Sequence, residues 1–253
     1  MRILLVSLLG CLSLVSGVAQ EAAPLRYDVV TVKESKSTEP ITLIDSDSGD
    51  MLKVENSSLM TMLTVAFDLH EYLIEGAPKW GQSKHFDVQG KILDATPDQI
   101  KALTEDQRRA MFVAVLEDRF HLKTHWETRD KPEYELVVAK GGSRLKESTA
   151  KHPSSGLNWD GMDAEMQSSG DLAKTFAFAL EKPVVDKTGL TGRYDVTLKW
   201  APLRGKPDPS PSEDIRPDIF TVVKESLGLE LKPTHGPVKV LVVDSAEEPS
   251  LEN

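Results

Sequence analysis

Phe120-His121-Leu122-Lys123-Thr124 and Leu227-Gly228-Leu229-Glu230-Leu231 follow one pattern: each lies where an apolar-faced helix runs directly into a predicted strand. The same order of elements occurs three times, in residues 116–139, 172–199 and 223–245. Each unit is predicted to be a helix followed by a two-stranded hairpin. Repetition of this unit predicts an α+β fold with mostly antiparallel sheets.

The segments before the first unit also carry helix and strand signals. Residues 27–32 predict a strand, and residues 41–54 predict a hairpin. A helix follows, capped by Ser57 or Ser58, and four apolar residues at helical spacing form its buried face: Leu59, Met62, Leu63 and Ala66. Two capping boxes predict two further helix starts: Thr96-Pro97-Asp98-Gln99 and Thr104-Glu105-Asp106-Gln107.

The N-terminal residues have the composition of a secretory signal peptide, residues 1–19. Met1-Arg2 is a basic start, residues 3–18 are apolar, and Gly17-Val18-Ala19 supplies the small residues of a cleavage site after Ala19. The apolar run is shorter than the roughly 20 residues that a spanning helix needs. The sequence therefore predicts a secreted or periplasmic protein with no membrane span after signal cleavage.

Cys11 is the only cysteine and lies within this apolar run. A lipoprotein signal would turn polar after its cysteine, whereas Leu12-Ser13-Leu14-Val15 continues the apolar run. We therefore expect an ordinary signal peptide rather than a lipid anchor. The mature chain is then expected to contain no disulfide and no cysteine nucleophile.

The charge of the chain argues against nucleic-acid binding. The formal net charge is −10, and no row of Lys and Arg residues alternates with aromatic residues. We expect two α+β halves, residues 20–150 and 151–253, and the second includes a proline-rich loop at 202–217. The sequence leaves open whether these halves are independent domains or share a core.

Three patterns resemble metal sites but lack a required feature. His70-Glu71-Tyr72-Leu73-Ile74 has isoleucine where a zinc-binding helix needs its second histidine, and His70-Glu71 is interpreted as a solvated helix end. His121 and His125 lie in a predicted strand, where four residues span roughly 13 Å, too far for one ion. The turn Asp45-Ser46-Asp47-Ser48-Gly49-Asp50 has its glycine one position too early for an EF-hand. We predict no metal and no cofactor.

The sequence contains no recognised nucleophile or phosphate-binding motif. Carboxylates are abundant, so a hydrolase with a paired-carboxylate site stays an alternative. Four residues are candidates for a binding site. Asp186, Arg193 and Tyr194 flank a glycine-rich turn that forms either a recognition tip or a structural turn with an Asp186–Arg193 pair and an inward-facing Tyr194. Trp80, like Trp159, lies in a predicted loop, where an aromatic residue can anchor a partner.

The segment Pro183-Val184-Val185-Asp186-Lys187-Thr188-Gly189-Leu190-Thr191-Gly192-Arg193-Tyr194-Asp195 resembles a family of uncharacterised secreted acidobacterial proteins, the Solibacter paralogue family. Supporting segments occur in order along the mature chain: residues 27–33, 76–80, 118–123, 134–142, 227–229 and 236–244. The resemblance implies secretion and no known activity. Related domains follow membrane zinc peptidases of the antibiotic-sensor type, and the helix-plus-hairpin units are similar to the short N-terminal domains of secretins and TonB-dependent receptors.

These observations predict a secreted or periplasmic, non-enzymatic module. Its partner is expected to be an envelope protein or an extracellular ligand. The alternatives are an extracytoplasmic hydrolase and a small-ligand sensor domain.

Overall fold

The computed structural model describes residues 25–37, 42–45, 49–158, 160–201 and 216–250. The predicted signal peptide with Cys11, the centre of the calcium-like turn, Trp159 and residues 202–215 of the proline-rich loop lie outside the described residues.

The described residues form twelve strands and six helices in an α+β arrangement, as the sequence predicts. The strands are β1 (Val29–Glu34), β2 (Leu43–Asp45), β3 (Met51–Ser58), β4 (Ile74–Glu75), β5 (His85–Lys91), β6 (Lys123–Val138), β7 (Lys146–Glu147), β8 (Ser154–Asn158), β9 (Gly161–Gln167), β10 (Val184–Asp186), β11 (Tyr194–Lys199) and β12 (Leu229–Ser245). The helices are α1 (Leu59–Ala66), α2 (Trp80–Ser83), α3 (Pro97–Lys101), α4 (Glu105–Arg119), α5 (Ser169–Leu180) and α6 (Ile219–Leu227).

The helix starts follow the predicted capping signals. Ser58 caps α1 by accepting the backbone N–H of Thr61, which satisfies one of the free donors at a helix start. Both predicted capping boxes form, at the starts of α3 and α4. The predicted apolar face of α1 is buried: Leu59, Met62, Leu63 and Ala66.

The first core lies against an antiparallel sheet with the order β1-β5-β3-β2. Helices α1 and α4 bring apolar side chains to this core. Two side chains from β12, Leu241 and Val243, complete it. Its buried members include Leu52, Val54, Leu63, Phe86, Val88, Phe112, Leu116 and Phe120.

The second core lies against a sheet with the order β7-β11-β9-β8. Helices α5 and α6 pack on it, together with Leu136 of β6 and the start of β12. Its buried members include Met162, Leu172, Phe176, Val196, Leu198, Trp200, Val223 and Leu229.

One long strand pair, which we call the ribbon, joins the two cores. It consists of β6 and β12, which are 16 and 17 residues long and pair antiparallel from Lys123↔Ser245 to Val138↔Leu229. Short strands add to its edges: β10 runs parallel to β6, and β4 runs parallel to β12. The predicted halves, residues 20–150 and 151–253, stay a prediction, and each core contains residues from both.

The predicted hairpins are wrong in all three units. Residues 123–138 and 229–245 are single strands that pair with each other, and no return strand follows either helix within its own unit. In the middle unit, β10 pairs with β6 whereas β11 pairs with β7 and β9. Pro132 and Gly236-Pro237 lie within the long strands. A proline is tolerated there because an edge position needs no N–H donor.

Both helix-to-strand junctions lie where the sequence predicts them, but His121 lies in a turn and not in the predicted strand, which begins at Lys123. His121 and Gly228 occupy corresponding positions in the two aligned stretches, and both have left-handed backbones, with φ of 46° and 63°. Each reverses the chain at a helix end and places the next residue, Leu122 or Leu229, in a buried position. The repeated pattern in the sequence therefore encodes the turn that starts each ribbon strand.

Candidate interaction surface

Trp80, the first predicted binding residue, is part of the first core. It lies in α2 and is partly buried rather than in an open loop. Its ring centroid is 6.1 Å from that of Phe86 in an edge-on contact and 6.4 Å from that of Phe120 in a stacked one. These contacts make Trp80 a packing residue in this structure.

Asp186 fixes the start of α5. The Ser169 hydroxyl donates to one Asp186 carboxylate oxygen at 2.6 Å, and the Thr188 backbone N–H and hydroxyl donate to the other at 2.9 and 2.7 Å. Burial by itself would raise the pKa of Asp186, but the hydrogen bonds from Ser169 and Thr188 outweigh it, and the pKa is lowered. The carboxylate therefore joins β10, the glycine-rich turn and α5.

Arg193 does not pair with Asp186, so the predicted cross-strand pair is wrong. Its guanidinium contacts Asp171 at 3.1 Å instead, because β10 and β11 belong to different sheets. Tyr194 is 8% exposed and packs in the second core, which agrees with the inward orientation predicted for a structural turn. Of these three candidates, only Arg193 has an exposed side chain.

The three histidines that were compared with metal sites lie apart in the fold. His70 precedes a 3-10 turn at Glu71–Leu73 and does not end a helix, since α1 stops at Ala66. Its ring stacks on Tyr72 at 5.3 Å and meets Phe178 edge-on at 5.6 Å. His121 lies in the turn before β6, and His125 lies within β6.

His125 is held between two carboxylates on one face of the ribbon. Its Nδ1 lies 2.9 Å from an Asp244 oxygen, and its Nε2 lies 2.9 Å from a Glu127 oxygen. Asp244 occupies a bulge in β12, where the register shifts between Val243 and Ser245. The hydrogen bonds of Glu127 and Asp244 raise the pKa of His125, because both favour the charged imidazolium.

The same face continues with two cations that cross β12. Arg129 donates to Glu127 at 2.7 Å and also pairs with Glu75 of β4, and Lys131 contacts Glu75 at 2.7 Å. Because β12 lies between β6 and β4, these side chains pass over the β12 residues Val238 and Val240. We call this set the ionic row: Asp244, His125, Glu127, Arg129, Glu75 and Lys131.

The opposite face of the ribbon presents Trp126. The Trp126 side chain is 43% exposed although the residue opposite it, Leu241, is fully buried. Lys239 places its ammonium 4.3 Å from the Trp126 ring centroid, and Phe67 meets the ring edge-on at 6.4 Å. These two contacts hold the indole in one orientation while one side stays open to solvent.

Sequence reasoning did not identify Trp126 as a site residue. By strand alternation Trp126 lies on the same side as Leu122, which predicts burial. The signal that sets it apart is the contact with Lys239, and that contact depends on the long-range pairing of β6 with β12.

A shallow cavity of about 380 Å³ lies beside the end of α6. Its charged groups have structural partners: the Arg144 guanidinium donates to the Glu225 carbonyl at 2.7 Å, and Lys224 contacts Glu230 at 3.4 Å. Arg144 thereby satisfies a free carbonyl near the helix end. We interpret this cavity as part of the turn between α6 and β12.

None of the described His, Cys, Asp and Glu residues form a group of three that could hold a metal ion. No helix in the described ranges is long and apolar enough to cross a membrane.

Comparison with known proteins identifies a family for this chain. Neither the curated proteins nor the solved structures include a match to this chain. A family model described as "Protein of unknown function (DUF3738)" matches residues 60–246, which is more than half of the 253 residues. The matched range contains both ribbon strands, the ionic row and Trp126. The chain therefore belongs to the DUF3738 family.

Proposed function

We propose that this protein is a secreted or periplasmic, non-enzymatic binding module that captures a protein of the cell envelope or the medium. The observation that carries the proposal is Trp126, which is exposed on the ribbon yet held by Lys239 and Phe67. Tryptophan is the residue type most enriched among residues that dominate binding energy at protein interfaces.

The position of Trp126 in the fold supports this role. It lies on β6, close to the strand end that joins the first core through Phe120 and Leu122. A side chain on a paired strand loses less conformational freedom on binding than one on a free loop, so more of its contact energy appears as affinity.

The proposed location rests on the apolar segment at residues 3–18 and the small residues before position 20. The resemblance to secreted acidobacterial proteins, and to domains that follow membrane zinc peptidases, supports the same location. The apolar N-terminal segment and the resemblance support export, and the exposed Trp126 supports binding. Together they favour capture of an extracytoplasmic partner.

The proposal is tested by capture with the tagged chain from residue 20 onward, using crosslinking in the envelope and medium fractions of the source organism. We compare the native protein with Trp126→Ala and with Phe178→Ala. Phe178 is a matched control because its side chain is 52% exposed and lies elsewhere on the surface. We expect one stoichiometric partner, an affinity reduced about tenfold or more by Trp126→Ala, and little change with Phe178→Ala.

Two results contradict the proposal. One is partner capture that Trp126→Ala leaves unchanged. The other is robust turnover of glycan, ester or peptide substrates by the pure protein, lost on substitution of one Asp or Glu, which identifies a hydrolase instead.

A further inference from the structure

The outer edges of the ribbon differ in how many hydrogen-bonding groups they present. In an antiparallel pair, alternate residues direct their N–H and C=O groups toward the partner strand and the rest direct them outward. The Ala139 N–H donates to the Gly228 carbonyl, so odd-numbered β6 residues face β12. Even-numbered β6 residues face outward, as Tyr134 and Leu136 do in their bonds with the β10 segment.

Two prolines occupy outward positions of β12. By the same alternation, odd-numbered β12 residues face outward, and these include Pro233 and Pro237, which have no N–H to offer. On β6, Pro132 also lies at an outward position. Proline at these positions blocks addition of another strand.

The β6 edge before Pro132 remains open. Its outward residues are Thr124, Trp126, Thr128 and Asp130, and their backbone groups pair with no other strand of the described chain. All four belong to a continuous strand, so their N–H and C=O groups have the spacing that an added strand requires.

The charged side chains of β6 do not cover this edge. His125 turns toward Asp244 on β12, and Arg129 and Lys131 cross β12 to Glu75. The ionic row thus draws these side chains to the inner side of β6 and leaves the outer edge accessible.

The two faces of the open edge call for different partner side chains. On the ionic-row face, β6 is basic at four of five alternate positions: Lys123, His125, Arg129 and Lys131. The last three are paired within the ionic row, so Lys123 is the cation available to a partner strand. Lys123 has no carboxylate within ion-pair distance among the described residues. The opposite face presents the exposed indole of Trp126. A strand that is acidic on one face and apolar on the other is complementary to both.

The charges also disfavour a second copy of the same chain. The antiparallel register that uses all four outward residues places Glu127 opposite Glu127 and Lys123 opposite Lys131. Like charges directly opposite each other destabilise a strand pair. The complementary occupant is therefore a different chain.

We propose that the outer edge of β6, residues 123–131, binds an acidic, extended segment of the partner protein as an added antiparallel strand. This inference rests on the proposed binding function and names the chemistry of its partner. Carboxylates of the added strand face Lys123, and its apolar residues pack over Trp126. Backbone hydrogen bonds to the four outward residues hold it in register.

The first experiment measures binding of fluorescent octapeptides to the chain from residue 20 onward. The probe alternates Glu and Val, and we expect it to bind about tenfold or more tightly than the same peptide with Lys in place of Glu. When Val packs over Trp126, the Val N–H groups face β6. N-methylation of every Val should abolish binding, whereas N-methylation of every Glu should preserve it.

The second experiment changes the protein. Thr128→Pro removes one outward donor from the open edge, and His235→Pro makes the same change at an outward position of the opposite edge. We expect Thr128→Pro to weaken probe binding about tenfold or more and His235→Pro to leave it within about twofold. Lys123→Glu should weaken binding of the Glu-Val probe and strengthen binding of the peptide with Lys in place of Glu.

Three outcomes overturn the proposal: no binding of the Glu-Val probe, equal binding of both N-methylated peptides, or a dimer of the native chain that Thr128→Pro dissociates. The peptide comparison remains decisive if Thr128→Pro fails to fold. Partner capture that depends on Trp126 but not on Thr128 would leave the proposed function standing and refute strand addition.

Discussion

Gly228 and Gly142 lie so close that a Cβ atom on residue 228 would overlap the carbonyl oxygen of Gly142. Gly228 ends α6 with φ of 63° and starts β12, while Gly142 follows β6 in the loop beside the α6 end. The two sequence segments 134–142 and 227–229, which were identified separately by their resemblance to other proteins, are therefore in contact. Gly228 permits this close approach of the two backbones, whereas Gly142 has φ of 82° and open space where a Cβ atom would lie.

Gly228→Ala should destabilise the fold by more than about 3 kcal/mol, since it adds a steric overlap to the cost of a left-handed backbone. Gly189→Ala is the matched control because Gly189 has φ of 70° and open space around it. The control should lose only about 1 to 2 kcal/mol. Urea denaturation measures both free energies of unfolding, and equal losses would contradict the contact between Gly228 and Gly142.

Asp186→Ala and Arg193→Ala distinguish the two roles considered for the glycine-rich turn, a structural turn and a recognition tip. Asp186→Ala leaves the Ser169 hydroxyl and the Thr188 N–H without their acceptor, so the free energy of unfolding should fall by about 1 to 3 kcal/mol. Arg193→Ala removes one surface ion pair and should cost less than about 1 kcal/mol. Thermal denaturation tests both values. Loss of partner capture in a stable Arg193→Ala variant would instead support a recognition tip.

His125 should make stability depend on pH near neutrality. Its folded pKa lies above the ordinary value of 6.5 because Glu127 and Asp244 favour the imidazolium. The stabilising contribution is therefore complete below the unfolded pKa and is lost as the pH rises through the folded one. The Tm difference between the native protein and His125→Gln should shrink as the pH rises from about 5 to about 9. A difference that is constant over this range would refute the charged pairing.

The ribbon should make the two cores unfold together. Leu136 lies in the second core and Leu241 in the first, and both belong to the ribbon and are fully buried. Leu136→Ala and Leu241→Ala should each lower the midpoint temperature of one shared unfolding transition. Each should reduce the free energy of unfolding by about 2 to 5 kcal/mol. Calorimetry tests this, since the calorimetric and van't Hoff enthalpies agree for a single transition. Two separate transitions, each sensitive to one substitution, would show independent halves.

Local signals in the sequence predict the helix starts and junctions well. Ser58, Thr96 and Thr104 cap their helices by contacts with residues three positions later, and the turns at His121 and Gly228 follow directly from their helix ends. The caps depend on neighbours in the chain, so the residues alone are sufficient to identify them, whereas the left-handed turn at His121 was predicted to be strand.

The hairpin predicted over residues 41–54 is confirmed by the pairing of β2 with β3, but pairing between distant strands was not predictable in the same way. Pro132 and Gly236-Pro237 have the composition of turns, and only the pairing of β6 with β12 shows that these prolines occupy outward positions. The same non-local pairing places Lys239 over Trp126. Separation of β10 and β11 into different sheets likewise decides that Arg193 meets Asp171 rather than Asp186. No short-range pattern contains this information.

The ribbon also makes the first core depend on the C-terminal part of the chain. The first core contains residues from the N-terminal part of the chain, but it is incomplete until Leu241 and Val243 have been synthesised. Contacts between such distant residues form slowly, because a long loop must close before they contribute to stability. For the exported protein proposed above, this delay would keep the chain unfolded during synthesis, which is the state that passage through a membrane pore requires.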